Sequence, residues 1–169
     1  NIPTNTKDFI GNKDVVISFK EWIKAIKDNK SFKHTVCFLT GSVGTGKSIL
    51  AKIALQEEGF EVFSFLSTGL RMKNERELLY QTISFRNVLA IINKKKSFRK
   101  AVIIDDYENM GLAKQEVFRK IKKIIKNKSN GIPIIFIGNK YFKSKKPLMG
   151  VSIYLRLEPR SNDDIKLIL

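Results

Sequence analysis

Gly41-Ser42-Val43-Gly44-Thr45-Gly46-Lys47-Ser48 matches the phosphate-binding loop pattern G-x-x-x-x-G-K-[ST] in full. An apolar, β-branched run, residues 35–40, leads into it, and Ser-Ile-Leu-Ala-Lys-Ile-Ala-Leu, residues 48–55, leads out with helical character. The strand–loop–helix setting that the pattern requires is therefore present, and an incidental Gly-rich turn would have neither flank. Gly41, Gly44 and Gly46 admit backbone angles closed to residues with a Cβ, so successive N–H groups, those of Ser42, Val43 and Thr45 among them, can turn inward around a phosphate. The first turn of the helix, through Ile49, adds unpaired amides and a dipole that favour negative charge. Lys47 is placed to reach the β and γ phosphates, and the Ser48 hydroxyl to ligate Mg2+.

The chain has 169 residues, 43% of them hydrophobic, which suits one domain with a substantial core. It opens at Asn1 and ends at Leu169 within a helical pattern, and is expected to be a piece of a longer protein. The single cysteine, Cys37, falls in the strand before the loop, where a small buried thiol is expected. One cysteine allows no internal disulfide, which fits a reducing intracellular setting. Apolar runs such as 132–137 are far shorter than the roughly 20 residues of a membrane-spanning helix, and no signal-peptide pattern opens the chain, so a soluble protein with no membrane partner is expected. Thirty-two Lys plus Arg against sixteen Asp plus Glu give a formal charge of +16. Two sources fit that excess: a polyanionic partner, nucleic acid being the commonest, or the Lys-, Ile-, Asn- and Phe-rich composition of an AT-rich genome.

Residues 1–12 read as extended or looped around Pro3 and Gly11. Over 13–28, Val15, Phe19, Trp22, Ile23 and Ile26 recur at three- and four-residue steps, predicting an amphipathic helix with Lys20, Lys24 and Lys27 in water. Strand 60–66 meets the Ser67-Thr68-Gly69 break. A helix over 74–93 follows, carrying Leu78, Leu79, Ile83, Val88, Leu89 and Ile92, and then a charged connector, 94–97, read as a solvated loop. Residues 101–104 are a continuous apolar strand, of the kind buried on both faces of a parallel sheet, ending in Asp105-Asp106. The helix over 113–128 buries Val117, Ile121, Ile124 and Ile125 and turns Arg119, Lys120, Lys122, Lys123 and Lys126 largely outward. Strand 132–137 ends at Gly138-Asn139, a basic loop spans 141–150, a fifth strand spans 151–157, and Ser161 caps a last helix with Asp163 and Asp164 at its positive end. No segment repeats.

Five strands interleaved with helices predict a parallel α/β sheet with right-handed crossovers. Ligands of such sheets sit at the carboxyl ends of the strands, which would gather residues 41–48, Asp105, Asp106 and Asn139 along one edge. There Asp105 is a candidate to hold Mg2+ beside Ser48, and Asp106 to orient or deprotonate an attacking water. Asn139 fits either a simple turn or a contact to the γ phosphate or the water, and its place in register with the other strand ends favours the second.

With these pieces placed, the chain resembles the AAA+ ATPases, which share a three-layer P-loop NTPase fold, and within them the large subunit of the replication factor C clamp loader. The resemblance runs over essentially the whole chain. Ile10-Gly11-Asn12 looks like the family's adenine-side segment, followed by a helix with a Trp, here Trp22. Residues 60–71 resemble its second strand and following turn, Ile103-Ile104-Asp105-Asp106-Tyr107-Glu108-Asn109-Met110 its Walker B region, and residues 132–139 its sensor 1 strand. The resemblance implies one nucleotide-binding domain over 1–169, with the connection to a helical lid starting near 158–169. It implies ATP and Mg2+ as cofactors, catalytic roles for Lys47, Asp106 and Asn139, and a base-side role for Ile10 and Gly11. As partners it implies other AAA+ subunits, DNA and a sliding clamp, at the nucleus or another site of DNA replication, a viral replication compartment included. Another DNA-associated machine of the family, such as a replication initiator or helicase loader, and an ATP-binding scaffold that does not turn over are the alternatives. A small-molecule kinase fits poorly, since the Arg-rich lid expected between strands is missing.

Three departures matter. Asp106 stands where the family usually has Glu, one methylene or about 1.5 Å shorter, which implies slow hydrolysis unless a water or Glu108 compensates. Leu148-Met149-Gly150-Val151-Ser152 offers no arginine finger, so one would come from a neighbouring subunit. The lid with its sensor 2 arginine is not in these residues. By the same resemblance Arg71, Lys73, Lys114, Arg119, Lys120 and Lys123 are candidates for DNA phosphate contact, salt-sensitive and indifferent to sequence.

Overall fold

Side chains alternate across a strand, so a strand with no polar positions must be covered on both faces. The computed structural model, which describes residues 2–28, 33–84, 99–127, 131–140 and 148–166, has that arrangement. Strands β1 (Val36–Gly41), β2 (Phe60–Leu66), β3 (Arg99–Asp105), β4 (Ile134–Gly138) and β5 (Ser152–Leu157) form one sheet in the order β2-β3-β4-β1-β5. Every pairing is parallel. Helices α1 (Lys13–Lys27) and α2 (Lys47–Glu57) cover one face, and α3 (Lys73–Ser84) and α4 (Ala113–Asn127) the other. A short helix, α5 (Asn162–Lys166), follows β5.

The core divides accordingly. Cys37, Leu39, Ala101, Ile103, Ile135 and Ile137 pack with α1 and α2. Their strand neighbours Val36, Phe38, Val102, Ile104, Ile134 and Phe136 pack with α3 and α4. Register sets Phe38 level with Phe136 on one side and Tyr154 on the other, and the rings stack at 4.9 and 5.3 Å. Cys37 is fully buried, and burial pushes its thiol up, away from any reactive thiolate. No helix among the described residues is long and apolar enough to cross a membrane.

The elements differ from their expected forms in a few places. β4 starts at Ile134 because Pro133 has no N–H to donate, although its carbonyl still accepts Val102 N–H at 2.9 Å. Leu78, although it fits the apolar period, is exposed, since Leu79, Tyr80, Thr82 and Ile83 take the buried stripe of α3. Lys20 and Lys27 do not stand free in water: they pair with Glu57 at 3.3 Å and Glu58 at 3.1 Å and tie α1 to the end of α2. Within the expected N-terminal loop, the Asn5 side chain caps a 3-10 turn, Thr6–Asp8. Ser161 caps α5 as expected, its hydroxyl accepting Asp164 N–H at 3.2 Å while the Asp164 carboxylate accepts Ser161 N–H at 3.0 Å. The continuation of the α3 pattern through Val88, Leu89 and Ile92, the connector at 94–97 and most of the basic loop, 141–147, lie outside the described residues.

Candidate functional site

The order β3-β4-β1 puts the carboxyl ends of three strands side by side, and the site is built there. β1 ends at Gly41, α2 begins at Lys47, and residues 42–46 connect them. Gly46 has φ +86°, and a Cβ on it would come within 2.9 Å of the Phe9 ring, so the turn and the packing both demand glycine. Thr45 is buried, with its hydroxyl donating to the Ser42 carbonyl at 2.9 Å. The Lys47 ammonium is folded back into the loop, donating to the carbonyls of Gly41 at 2.8 Å and Ser42 at 2.7 Å. Burial depresses the proton affinity of Lys47, and the carboxylates of Asp105 and Glu108 oppose that.

Ser48, at the start of α2, meets the end of β3. Its hydroxyl donates to Asp105 Oδ2 at 2.6 Å, across 57 positions of sequence. The other Asp105 oxygen accepts the Asp106 N–H at 2.8 Å, which fixes the carboxylate plane. A cavity of about 310 Å3 opens above this pair. Val43, Gly44, Gly46 and Ile49 line it from the loop and α2, and Lys47, Ser48, Asp105 and Asn139 bring its polar groups.

The other candidates do not line it. Asp106 adopts a left-handed backbone, φ +55°, and its carboxylate accepts the Asn109 side-chain amide at 2.6 Å. Gly41, Ser42 and Thr45 serve from behind, as acceptors and braces for Lys47. Ile10 and Gly11 do not line the cavity. Asn12 anchors that segment to the chain after β5, its side chain donating to the Glu158 carbonyl at 2.9 Å and accepting the Glu158 N–H at 2.8 Å.

Beside the site, Arg160 had no assigned role from the sequence, and Glu108 only that of compensating for the short Asp106. Arg160 lies with its guanidinium 6.0 Å from the Phe9 ring centroid, near Gly46 and Gly11, and its Nε is buried without a hydrogen-bond partner among the described residues. The only local sign of it is a basic residue just before the Ser161 cap. Glu108 accepts the backbone N–H groups of Asn139 and Lys140 at 2.7 and 2.8 Å.

Of the basic candidates, Arg71, Lys73, Arg119, Lys120 and Lys123 are exposed and Lys114 half-exposed, all on the α3–α4 layer. Arg71 is engaged, donating to the Asn109 carbonyl at 2.9 and 2.6 Å. It also lines a larger hollow of about 570 Å3 beside the start of α4, to which no phosphate-loop residue contributes. Lys120 sits 5.7 Å over the Tyr80 ring.

Known proteins agree with this geometry. The chain is 26% identical over 156 residues to a protein of Acanthamoeba polyphaga mimivirus named as a replication factor C large subunit, covering 81% of this chain and 29% of that protein. It is likewise 26% identical to replication factor C subunit 1 of Schizosaccharomyces pombe, covering 81% and 16%. The chain thus spans less than a third of either relative. Among solved structures, the FIGL-1 AAA domain in complex with ADP superposes with a TM-score of 0.72 at 12% identity, covering 99% of this chain and 60% of that one. The Thermotoga maritima RuvB Holliday junction branch migration motor superposes at 0.70 with 19% identity, covering 99% and 52%. These likenesses carry the fold. The model of the ATPase family associated with various cellular activities matches residues 37–157, from the strand before the phosphate loop to the end of β5. With that match over most of its length and the loop, strand ends and sheet order in place, the chain belongs to the AAA ATPases.

Proposed function

We propose that this chain is the ATP-binding and ATP-hydrolysing domain of a clamp-loader-like subunit, which loads a sliding clamp onto primed DNA together with other AAA+ subunits. The observation that carries the nucleotide part is the 2.6 Å bond between Ser48 and Asp105 on the wall of the cavity that Lys47 and Asn139 also line. A triphosphate laid along the loop would compete with the Gly41 and Ser42 carbonyls for the Lys47 ammonium, and a phosphate oxygen is the stronger acceptor for a cation. Asn139 would meet the γ phosphate.

Mg2+ fits the donors present. The Ser48 hydroxyl and Asp105 carboxylate are hard oxygen ligands, and no group of three or more His, Cys, Asp or Glu placed to hold a metal ion occurs among the described residues. Two protein oxygens, with waters and phosphate oxygens for the rest, are what Mg2+ takes in place of a protein cage. When bound, it neutralises charge on the phosphates.

The clamp-loader part is supported by the two replication factor C relatives and by the exposed cations of the α3–α4 layer. Arg71, Lys73, Lys114, Arg119, Lys120 and Lys123 would follow a DNA backbone, and residues 158–166 would lead toward a lid. The arginine finger would come from a neighbouring subunit. The test is ATP-dependent binding of the assembled full-length protein to a ring clamp; no clamp affinity in either nucleotide state would refute the loader reading.

One observation favours a second reading, an ATP-binding scaffold. Asp106, already a methylene shorter than glutamate, is held by Asn109 and is not part of the cavity lining. Asp106→Glu in the assembled complex separates the two: turnover with either residue supports an ATPase, and none with both supports the scaffold.

A further inference from the structure

We infer that Glu108 is a positioning residue: it clamps the end of β4 and thereby aims the Asn139 side chain into the cavity. Glu108 lies on the 3-10 turn Tyr107–Met110 that follows β3. One of its carboxylate oxygens, Oε1, accepts the N–H groups of two successive residues, Asn139 at 2.7 Å and Lys140 at 2.8 Å, 31 and 32 positions away. The β3–β4 ladder ends at Ile104–Phe136 and the β1–β4 ladder at Thr40–Gly138, so these two amides lie beyond the last strand pairing. Glu108 supplies the acceptor that no strand supplies. Bonds to an ionised acceptor are roughly twice as strong as neutral ones, and two of them on one oxygen restrain both peptide planes.

The approach is close enough to dictate Gly138. A Cβ there would overlap the Tyr107 ring and lie 2.6 Å from Glu108 Oε1. Through this contact the ends of β3 and β4 move as one body, and Asn139 keeps its place opposite Lys47 and Asp105.

The consequence for Asn139 rests on the proposed triphosphate site; the clamp itself does not. The test uses Glu108→Ala, Glu108→Asp and Glu108→Gln in the full chain, each checked for native circular dichroism. Two quantities are read: hydrogen exchange at the Asn139 and Lys140 amides without nucleotide, and the affinities for ATP and ADP. Glu108→Asp keeps the charge but stops about 1.5 Å short. The Ala and Asp variants should exchange about tenfold faster or more and lose about three- to tenfold in ATP affinity with ADP affinity unchanged. Glu108→Gln, which keeps an acceptor at Oε1 but not the charge, should recover part of both and lie between Ala and wild type. Wild-type exchange and a wild-type ATP-to-ADP ratio in the Ala and Asp variants would overturn the inference, as would a Gln variant as defective as Ala. If wild-type protein bound neither nucleotide, the site reading alone would fall, and the exchange rates would still decide the clamp.

Discussion

The loop after β1 and the turn after β3 both rise from carboxyl ends of strands, yet they are held in opposite ways. The loop is closed on itself: Thr45 and Lys47 bond to the Gly41 and Ser42 carbonyls, partners three to six positions away. The turn is held from afar, by Ser48 on Asp105 across 57 positions, by Arg71 on Asn109 across 38 and by Glu108 on Asn139 across 31. A self-closed loop needs only its own sequence and a strand and helix to hang from. The turn needs the whole sheet order, so it is the part that can move when a distant element moves.

Breaking the loop side should have the largest effect. Lys47→Ala should weaken ATP binding by about 100-fold, because it removes charge-assisted bonds to phosphate. The fold should survive, since the strand and helix that carry the loop keep their own pairing and packing. Titration with a fluorescent ATP analogue and a melting curve check both halves; unchanged nucleotide affinity would contradict the role given to Lys47.

Breaking the turn side should show first as lost stability. Gly138→Ala forces a methyl group into the Tyr107 ring and the Glu108 carboxylate, an overpacking worth about 1–3 kcal/mol. Its urea midpoint should fall with the slope unchanged, and ATP affinity should fall less than in Lys47→Ala. A midpoint equal to wild type would show that the turn yields easily, and the contrast with the loop would disappear.

The smallest effects concern the basic face. Lys120→Ala should weaken duplex DNA binding by about two- to threefold and lower the salt slope by about one, as expected for a single phosphate contact. Arg71→Ala should do the same to DNA and also loosen the Asn109 carbonyl that Arg71 holds, seen as faster exchange in the 107–110 turn. Equal exchange in both variants would detach Arg71 from the turn.

The same contrast explains which features the sequence discloses. The phosphate loop, the doubly covered strands and the Ser161 cap are local patterns, and each reads directly from residue spacing. The meeting of Ser48 with Asp105 follows from one general rule of parallel sheets. Three features do not follow. Asp106 looks like a base aimed at water, but its direction is set by a left-handed backbone and by Asn109. Glu108 reaches Asn139 only because β3 pairs with β4, a strand order that spacing does not encode. Leu78 satisfies the helical period but sits just off the buried stripe of α3, which Tyr80 and Thr82 help to fill.

The proposed site depends above all on Ser48 and Asp105 converging to hold the divalent ion of a bound nucleoside triphosphate. It is tested most directly by measuring ATP affinity with Mg2+ and with the metal chelated, in wild-type protein and in Asp105→Asn. Chelation should weaken wild-type binding by about tenfold or more, and Asp105→Asn should bind weakly in both conditions with little difference between them. Equal affinity with and without Mg2+ in the wild type, or a full Mg2+ effect retained in Asp105→Asn, would contradict it.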